Sequence, residues 1–161
     1  MDVCAFLDRQ GIAYQCFDHP PVYTCDEARA VLPKDMPGAE TKNLFLRDKK
    51  GKRHFLVIAG YDTKVDLKQF ADTVGAQGAS FASPERLMSH LGVEPGSVTL
   101  LALVNDAAHA VELYVDALVW AAPSVRAHPL VNTATLILAH DGFEKFLAAT
   151  GHEARVVNFA A

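Results

Sequence analysis

The chain is poor in cysteine and has no surplus of positive charge. Its three cysteines, Cys4, Cys16 and Cys25, are odd in number and show no Cys-x-x-Cys spacing. That pattern supplies neither a disulfide framework nor a zinc site. Three unpaired thiols suit a reducing compartment, so the expectation is a cytoplasmic protein. No apolar stretch approaches the roughly 20 residues of a membrane span, and Met1-Asp2-Val3-Cys4 lacks the basic start and apolar core of a secretory leader. The net charge of −4 rules out a broad basic field. Any nucleic-acid contact must then be local, and neither membrane nor DNA is an expected partner. Strong catalytic signatures are missing as well: there is no Gly-x-Ser-x-Gly elbow, no His-Glu-x-x-His and no phosphate loop. The seven histidines are scattered without ligand spacing, so no metal and no cofactor is expected.

What is present is ordinary globular material. The 161 residues are 50% hydrophobic and 21% charged, which suits one domain spanning residues 1–161. Asp2 is placed to cap a helix running to Gln10, with Gly11 closing it. Ala13 to Phe17 reads as a strand, and His19-Pro20-Pro21-Val22 as extended chain. Thr24-Cys25-Asp26-Glu27 is a capping box opening a helix to about Leu32. Lys42–Arg47 and Arg53–Ala59 flank a glycine-containing turn and predict a β-hairpin. Helices follow at Asp66–Thr73 and from Ser83-Pro84-Glu85 to about Leu91. Leu100–Val104 reads as a strand, Asn105-Asp106 as a turn, and Ala110–Val115 as the returning hairpin arm. Thr135–Leu138 reads as a strand, Asp141 as the cap of a helix from Phe143 to Thr150, and Arg155–Phe159 as a last strand. Hairpins mixed with non-alternating helices predict an α+β fold with a mixed sheet or distorted barrel.

Three segments place polar residues in apolar or glycine-rich surroundings. Lys42-Asn43 stands at a strand entrance, where a rigid scaffold can hold a cation against a ligand. Gly96-Ser97-Val98-Thr99 is a loop in which glycine permits close backbone approach. His128-Pro129-Leu130-Val131-Asn132-Thr133-Ala134-Thr135 surrounds small apolar residues with a histidine, an asparagine and two threonines. Taken one at a time, the segments equally fit an edge lysine, a connector and a capped turn.

In this order and spacing they resemble the YbaK-like aminoacyl-tRNA deacylases, and among those the freestanding prolyl-tRNA editing proteins that remove alanine from proline tRNA. Val65-Asp66-Leu67-Lys68, Phe81-Ala82-Ser83-Pro84-Glu85-Arg86-Leu87 and Leu91-Gly92-Val93-Glu94-Pro95 also fit that family, as do His19-Pro20 and Thr24. One position departs from it. Where the family loop commonly continues into proline, Thr99 is followed by Leu100. The resemblance implies a curved, partly closed mixed sheet flanked by helices. It also implies hydrolysis of the ester joining an amino acid to the terminal ribose of tRNA.

On that implication Lys42 and His128 are the catalytic candidates. Asn43, Gly96, Ser97, Val98, Thr99, Asn132 and Thr133 are the substrate-binding candidates, with backbone N–H groups of the Gly96 loop cradling the carbonyl oxygen. The implied partner is the acceptor end of a mischarged tRNA, with prolyl-tRNA synthetase as a transient partner. Two alternatives stay open: a deacylase for serine, cysteine, threonine or a non-protein relative, and a non-catalytic module that binds tRNA or a synthetase. A basic cluster around the first hairpin, including Lys49, Lys50 and Lys52, reads as a tRNA contact or as a solvated turn.

Overall fold

The computed structural model describes residues 2–159. The elements in chain order are α1 (Val3–Arg9), β1 (Gln15–Asp18), α2 (Cys25–Val31), β2 (Thr41–Arg47), β3 (His54–Gly60), α3 (Leu67–Val74), β4 (Ser80–Phe81) and α4 (Pro84–Leu91). A 3-10 turn (Leu100–Asn105) follows, then β5 (Val111–Asp116), α5 (Ala117–Trp120), β6 (Ser124–Ala127), β7 (Ala134–Ala139), α6 (His140–Thr150) and β8 (Ala154–Val157). The strands form two sheets, a five-stranded one ordered β4-β2-β3-β5-β8 and a three-stranded one ordered β1-β7-β6. The expected α+β class holds, and the sheets do not close into a barrel.

The first hairpin forms as its pattern predicts, with Lys42 opposite Ala59 and Asn43 opposite Ile58. Strand β3 is central, and Phe55 through Ala59 are wholly buried. Buried on both faces, it reads as one continuous apolar run. It anchors β2 rigidly, so Lys42 stands on a fixed rail. Predicted helix starts also hold: the side chains of Asp2, Asp66 and Ser83 accept from the N–H groups of Ala5, Gln69 and Arg86. Each such cap stabilises by about 1 kcal/mol.

Several expectations are corrected. Leu100–Asn105 is a 3-10 turn and not a strand. Leu100 to Leu103 are buried without alternation, a run that periodicity cannot divide between strand and turn. The Thr99 side chain accepts from Leu101 N–H and starts the turn. Strand β5 therefore has no hairpin partner before it and pairs parallel with β3. Asp141 does not cap the last helix. That helix begins at His140 with Ala139 at the cap position, and the Asp141 carboxylate accepts from Gly142 N–H. The last strand spans Ala154–Val157 and pairs parallel with β5. Strands β4 and β6 and the short helix α5 went unpredicted, each being four residues or fewer.

A histidine far from the pocket described below makes this fold sensitive to acid. His54 is buried, stacks on Phe45 and lies against His90 with ring centroids 4.0 Å apart. The Arg86 guanidinium donates to its Nε2 at 3.1 Å, which requires a neutral ring. Burial, then His90 and Arg86, push its pKa down to about 4. The unfolded chain takes up this proton near pH 6.5 and the folded chain only near pH 4. Stability is therefore full above the unfolded value and falls as pH drops through that window, by roughly 2–3 kcal/mol. Urea midpoints measured from pH 7 to 4.5 should fall steadily, and His54→Gln should flatten the slope. A wild-type midpoint that does not move over this range would contradict the assignment.

Candidate active site

The two sheets meet where β2 begins. Ala39 bridges Val125 of β6, and its N–H and carbonyl bond Ser124 and Arg126. The Thr41 hydroxyl donates to Arg126 carbonyl at 3.4 Å. Over this junction lies a pocket of about 220 Å³ whose lining includes Lys42, Asn43, Gly96, Val98 and His128. Residues more than 80 positions apart in sequence thus face one cavity.

Helix α2 closes one side. Cys25, Ala28, Arg29 and Leu32 line the cavity, at the i, i+3, i+4, i+7 spacing of a single helical face. Thr24 caps the helix by accepting from Glu27 N–H at 3.1 Å. The Glu27 carboxylate returns to Tyr23 N–H, which sets Tyr23 at the rim. Gly96 has φ +92, and a Cβ there would meet the Tyr23 ring at 3.0 Å. Both the backbone angle and the close ring require glycine at this point.

Three cationic residues, Arg29, Lys42 and Arg126, line the cavity, and two of them are engaged: the Arg126 guanidinium donates to the Met36 and Pro37 carbonyls. The Arg29 guanidinium bonds Glu40 and lies 3.6 Å from the Tyr61 ring centroid, while the Tyr61 hydroxyl donates to Asp26. Among the described residues Lys42 has no ion-pair partner. The Cys25 thiol donates to Thr41 carbonyl at 3.6 Å. Burial, then Asp26, push its pKa up against the opposing pull of Lys42. It stays protonated and is not a ready nucleophile.

His128 enters from the loop between β6 and β7. Its Nδ1 lies 3.1 Å from Ala134 carbonyl, and a carbonyl only accepts, so Nδ1 carries the proton. Burial holds the ring below the ordinary histidine range, opposed by that hydrogen bond. The ring is neutral at pH 7, and Nε2 is an acceptor. No described residue bonds Nε2, yet among the described residues no buried side-chain nitrogen or oxygen lacks a partner. Nε2 is therefore open to solvent.

The remaining sequence candidates stand behind the wall. Ser97 N–H donates to Glu94 carbonyl at 3.0 Å, which leaves the Gly96 and Val98 N–H groups without an acceptor among the described residues. Thr99 is wholly buried and caps the 3-10 turn. Asn132 grips Val22 twice: its Nδ2 donates to Val22 carbonyl, and its own carbonyl accepts from Val22 N–H. Thr133 carbonyl accepts from His19 N–H. These four residues do not line the cavity; they fix the segments that do. Leu100 occupies the first position of the 3-10 turn, a place where proline is equally at home. Its side chain fills the core. Arg29 and Tyr61 line the cavity without having been singled out in the sequence, and Thr135 lines it although the candidates in its segment are His128, Asn132 and Thr133. The spacing on α2 carried the signal for Arg29, whereas nothing local marks Tyr61.

Residues 19–146 match the aminoacyl-tRNA editing domain family. The chain belongs to that family. It is 37% identical over 157 residues to the prolyl-tRNA editing protein ProX of Acetoanaerobium sticklandii, covering 96% of this chain and 94% of the relative. It is 34% identical over 162 residues to prolyl-tRNA synthetase associated domain-containing protein 1 of Xenopus laevis, covering 98% of this chain and 95% of the relative. A crystal structure described as that of a candidate trans-editing enzyme for prolyl-tRNA synthetase shares the fold, with a TM-score of 0.72 at 22% identity, covering 98% of this chain and 93% of the other. As a member of the editing family the chain is an aminoacyl-tRNA deacylase, a hydrolase of the ester between amino acid and tRNA. Among the described residues no helix is long and apolar enough to cross a membrane.

Proposed function

We propose that this deacylase acts in trans on mischarged proline tRNA and that alanine is the amino acid it removes. The observation that carries the reading is the convergence of Lys42, the Gly96 loop and His128 on one cavity of about 220 Å³. An aminoacyl ester is already activated, so the site must position water, hold the ribose end and stabilise an oxyanion. Water bonds to the ester carbonyl carbon, and the carbonyl oxygen takes the negative charge. The bond to the ribose oxygen then breaks, and the ribose oxygen takes up a proton from the water. Free tRNA and the amino acid result. Lys42 supplies positive charge at the carbonyl or the terminal nucleotide. The Gly96 and Val98 N–H groups are the donors to the oxyanion, and the neutral Nε2 of His128 accepts from the attacking water or a ribose hydroxyl.

Alanine is the expected error for a physical reason. A synthetase pocket shaped for proline cannot strongly exclude a smaller side chain, because a few missing methylenes are worth only about 1–3 kcal/mol. A second, smaller pocket admits alanine and excludes proline by steric clash. With a net charge of −4 the chain has little long-range attraction for tRNA. A transient complex with prolyl-tRNA synthetase in the cytoplasm is the setting we favour.

The test is a panel of proline tRNA charged with alanine, serine, cysteine, threonine or proline. Alanine should leave fastest and proline slowest. Equal loss of alanine and proline, or loss of neither, would sink the proposal. A faster loss of serine, cysteine or threonine would move the assignment to that amino acid.

A further inference from the structure

His19 and Thr135 form a hydrogen-bonded pair at the pocket wall. His19 Nδ1 lies 2.8 Å from Pro20 carbonyl, and His19 Nε2 lies 2.9 Å from Thr135 Oγ1. A carbonyl oxygen only accepts, so Nδ1 must carry the proton. In the neutral ring Nε2 is then an acceptor, and the contact with Thr135 requires the threonine hydroxyl to donate. The one hydroxyl proton of Thr135 is committed away from the cavity. Thr135 is nearly buried, sits on β7 opposite Phe17 of β1, and lines the cavity beside His128. What it offers a ligand is lone pairs alone.

An acceptor-only group fits a donor-only group. A ribose hydroxyl both donates and accepts and gains nothing special from such a wall. The ammonium of an aminoacyl ester has several donors and no acceptor, and charge strengthens its hydrogen bond about twofold. We infer that Thr135 receives the α-ammonium group of the esterified amino acid and that His19 is a positioning residue holding the Thr135 hydroxyl in the accepting orientation. The inference rests on the deacylase reading of the pocket and adds the feature by which the site tells an amino acid from other small acids.

The experiment compares alanyl-tRNA(Pro) with chemically prepared propionyl-tRNA(Pro), which has hydrogen where alanine has its amine. Each enzymatic rate is divided by the spontaneous hydrolysis rate of the same ester, since the ammonium group itself makes the ester more labile. The wild-type enzyme should favour the alanyl ester by at least about tenfold, the discrimination expected when a site's polar group loses its partner. Thr135→Val should abolish most of that preference while propionyl cleavage persists, and Thr135→Ser should restore it. His19→Phe, which frees the hydroxyl to rotate, should reduce the preference without removing it. Equal corrected rates for the two esters in the wild type, or an equal fall for both in Thr135→Val, would overturn the inference. An unchanged preference in His19→Phe would remove His19 from it, and this variant also serves if Thr135→Val does not fold. If alanine proves not to be the amino acid removed, the same comparison is made with the preferred amino acid and its deamino analogue. The substrate assignment and the ammonium assignment thereby fail separately.

Discussion

Lys42→Ala should lower turnover of the mischarged tRNA by ten- to a hundredfold, a loss of about 1.4–2.7 kcal/mol of transition-state stabilisation. Thermal stability should barely change. Lys42 has no ion-pair partner among the described residues, so its removal strands no buried carboxylate. Substitutions free of such features usually stay within about 0.5 kcal/mol. Arg29 cannot take over, because Glu40 and Tyr61 hold its guanidinium. Single-turnover kinetics then separate the roles. A fall in the chemical rate constant places the ammonium at the developing oxyanion, whereas a weaker apparent affinity with the rate intact places it at the tRNA end. A Lys42→Ala enzyme with full activity would remove the residue from the mechanism.

The contrast between Arg29 and Lys42 explains why the lysine was legible in the sequence and its surroundings were not. Strand β2 announces itself through three apolar residues after Asn43 and a turn at Asp48–Lys52, and the matching run of β3 fixes its register. The entrance lysine follows from that register. The other half of the site depends on contacts between distant segments. Asn132 looks like a ligand in a polar loop, but its amide bonds Val22, 110 residues away. Thr135 looks like an ordinary strand residue, and only the partner at His19, 116 residues away, gives its hydroxyl a direction. Side-chain hydrogen bonds of this range leave no local pattern, so periodicity and turn chemistry assign the segments and not their roles. The short strand β6 has the same weakness. Its four residues alternate in burial, yet they gain meaning only by joining the two sheets through Ala39.

Asp106→Ala should destabilise the fold by about 3–5 kcal/mol, the range for removing one partner of a buried charged network. For a chain of this length that lowers Tm by roughly 10 °C. The sequence around Asn105-Asp106 predicts a hairpin turn, and a turn aspartate would cost little. In the fold, Asp106 closes the 3-10 turn and accepts from Ala110 N–H, Val111 N–H and His152 Nε2 at 3.0, 2.9 and 2.9 Å. The Asp106 and His152 side chains are each only 3% exposed. One carboxylate thus ties the start of β5 to the loop after α6, two segments that lie at the same end of the large sheet because β5 and β8 run parallel. Without it two backbone donors and an imidazole are left in an apolar interior, each at about 1–3 kcal/mol. Asp106→Asn keeps one acceptor oxygen and should cost less than half as much. Because Asp106 does not line the cavity, the activity of the molecules that remain folded should match the wild type below the melting transition. A Tm within 2 °C of wild type for Asp106→Ala would mean that the parallel junction holds without its carboxylate, and that β5 is placed by packing against β3 alone.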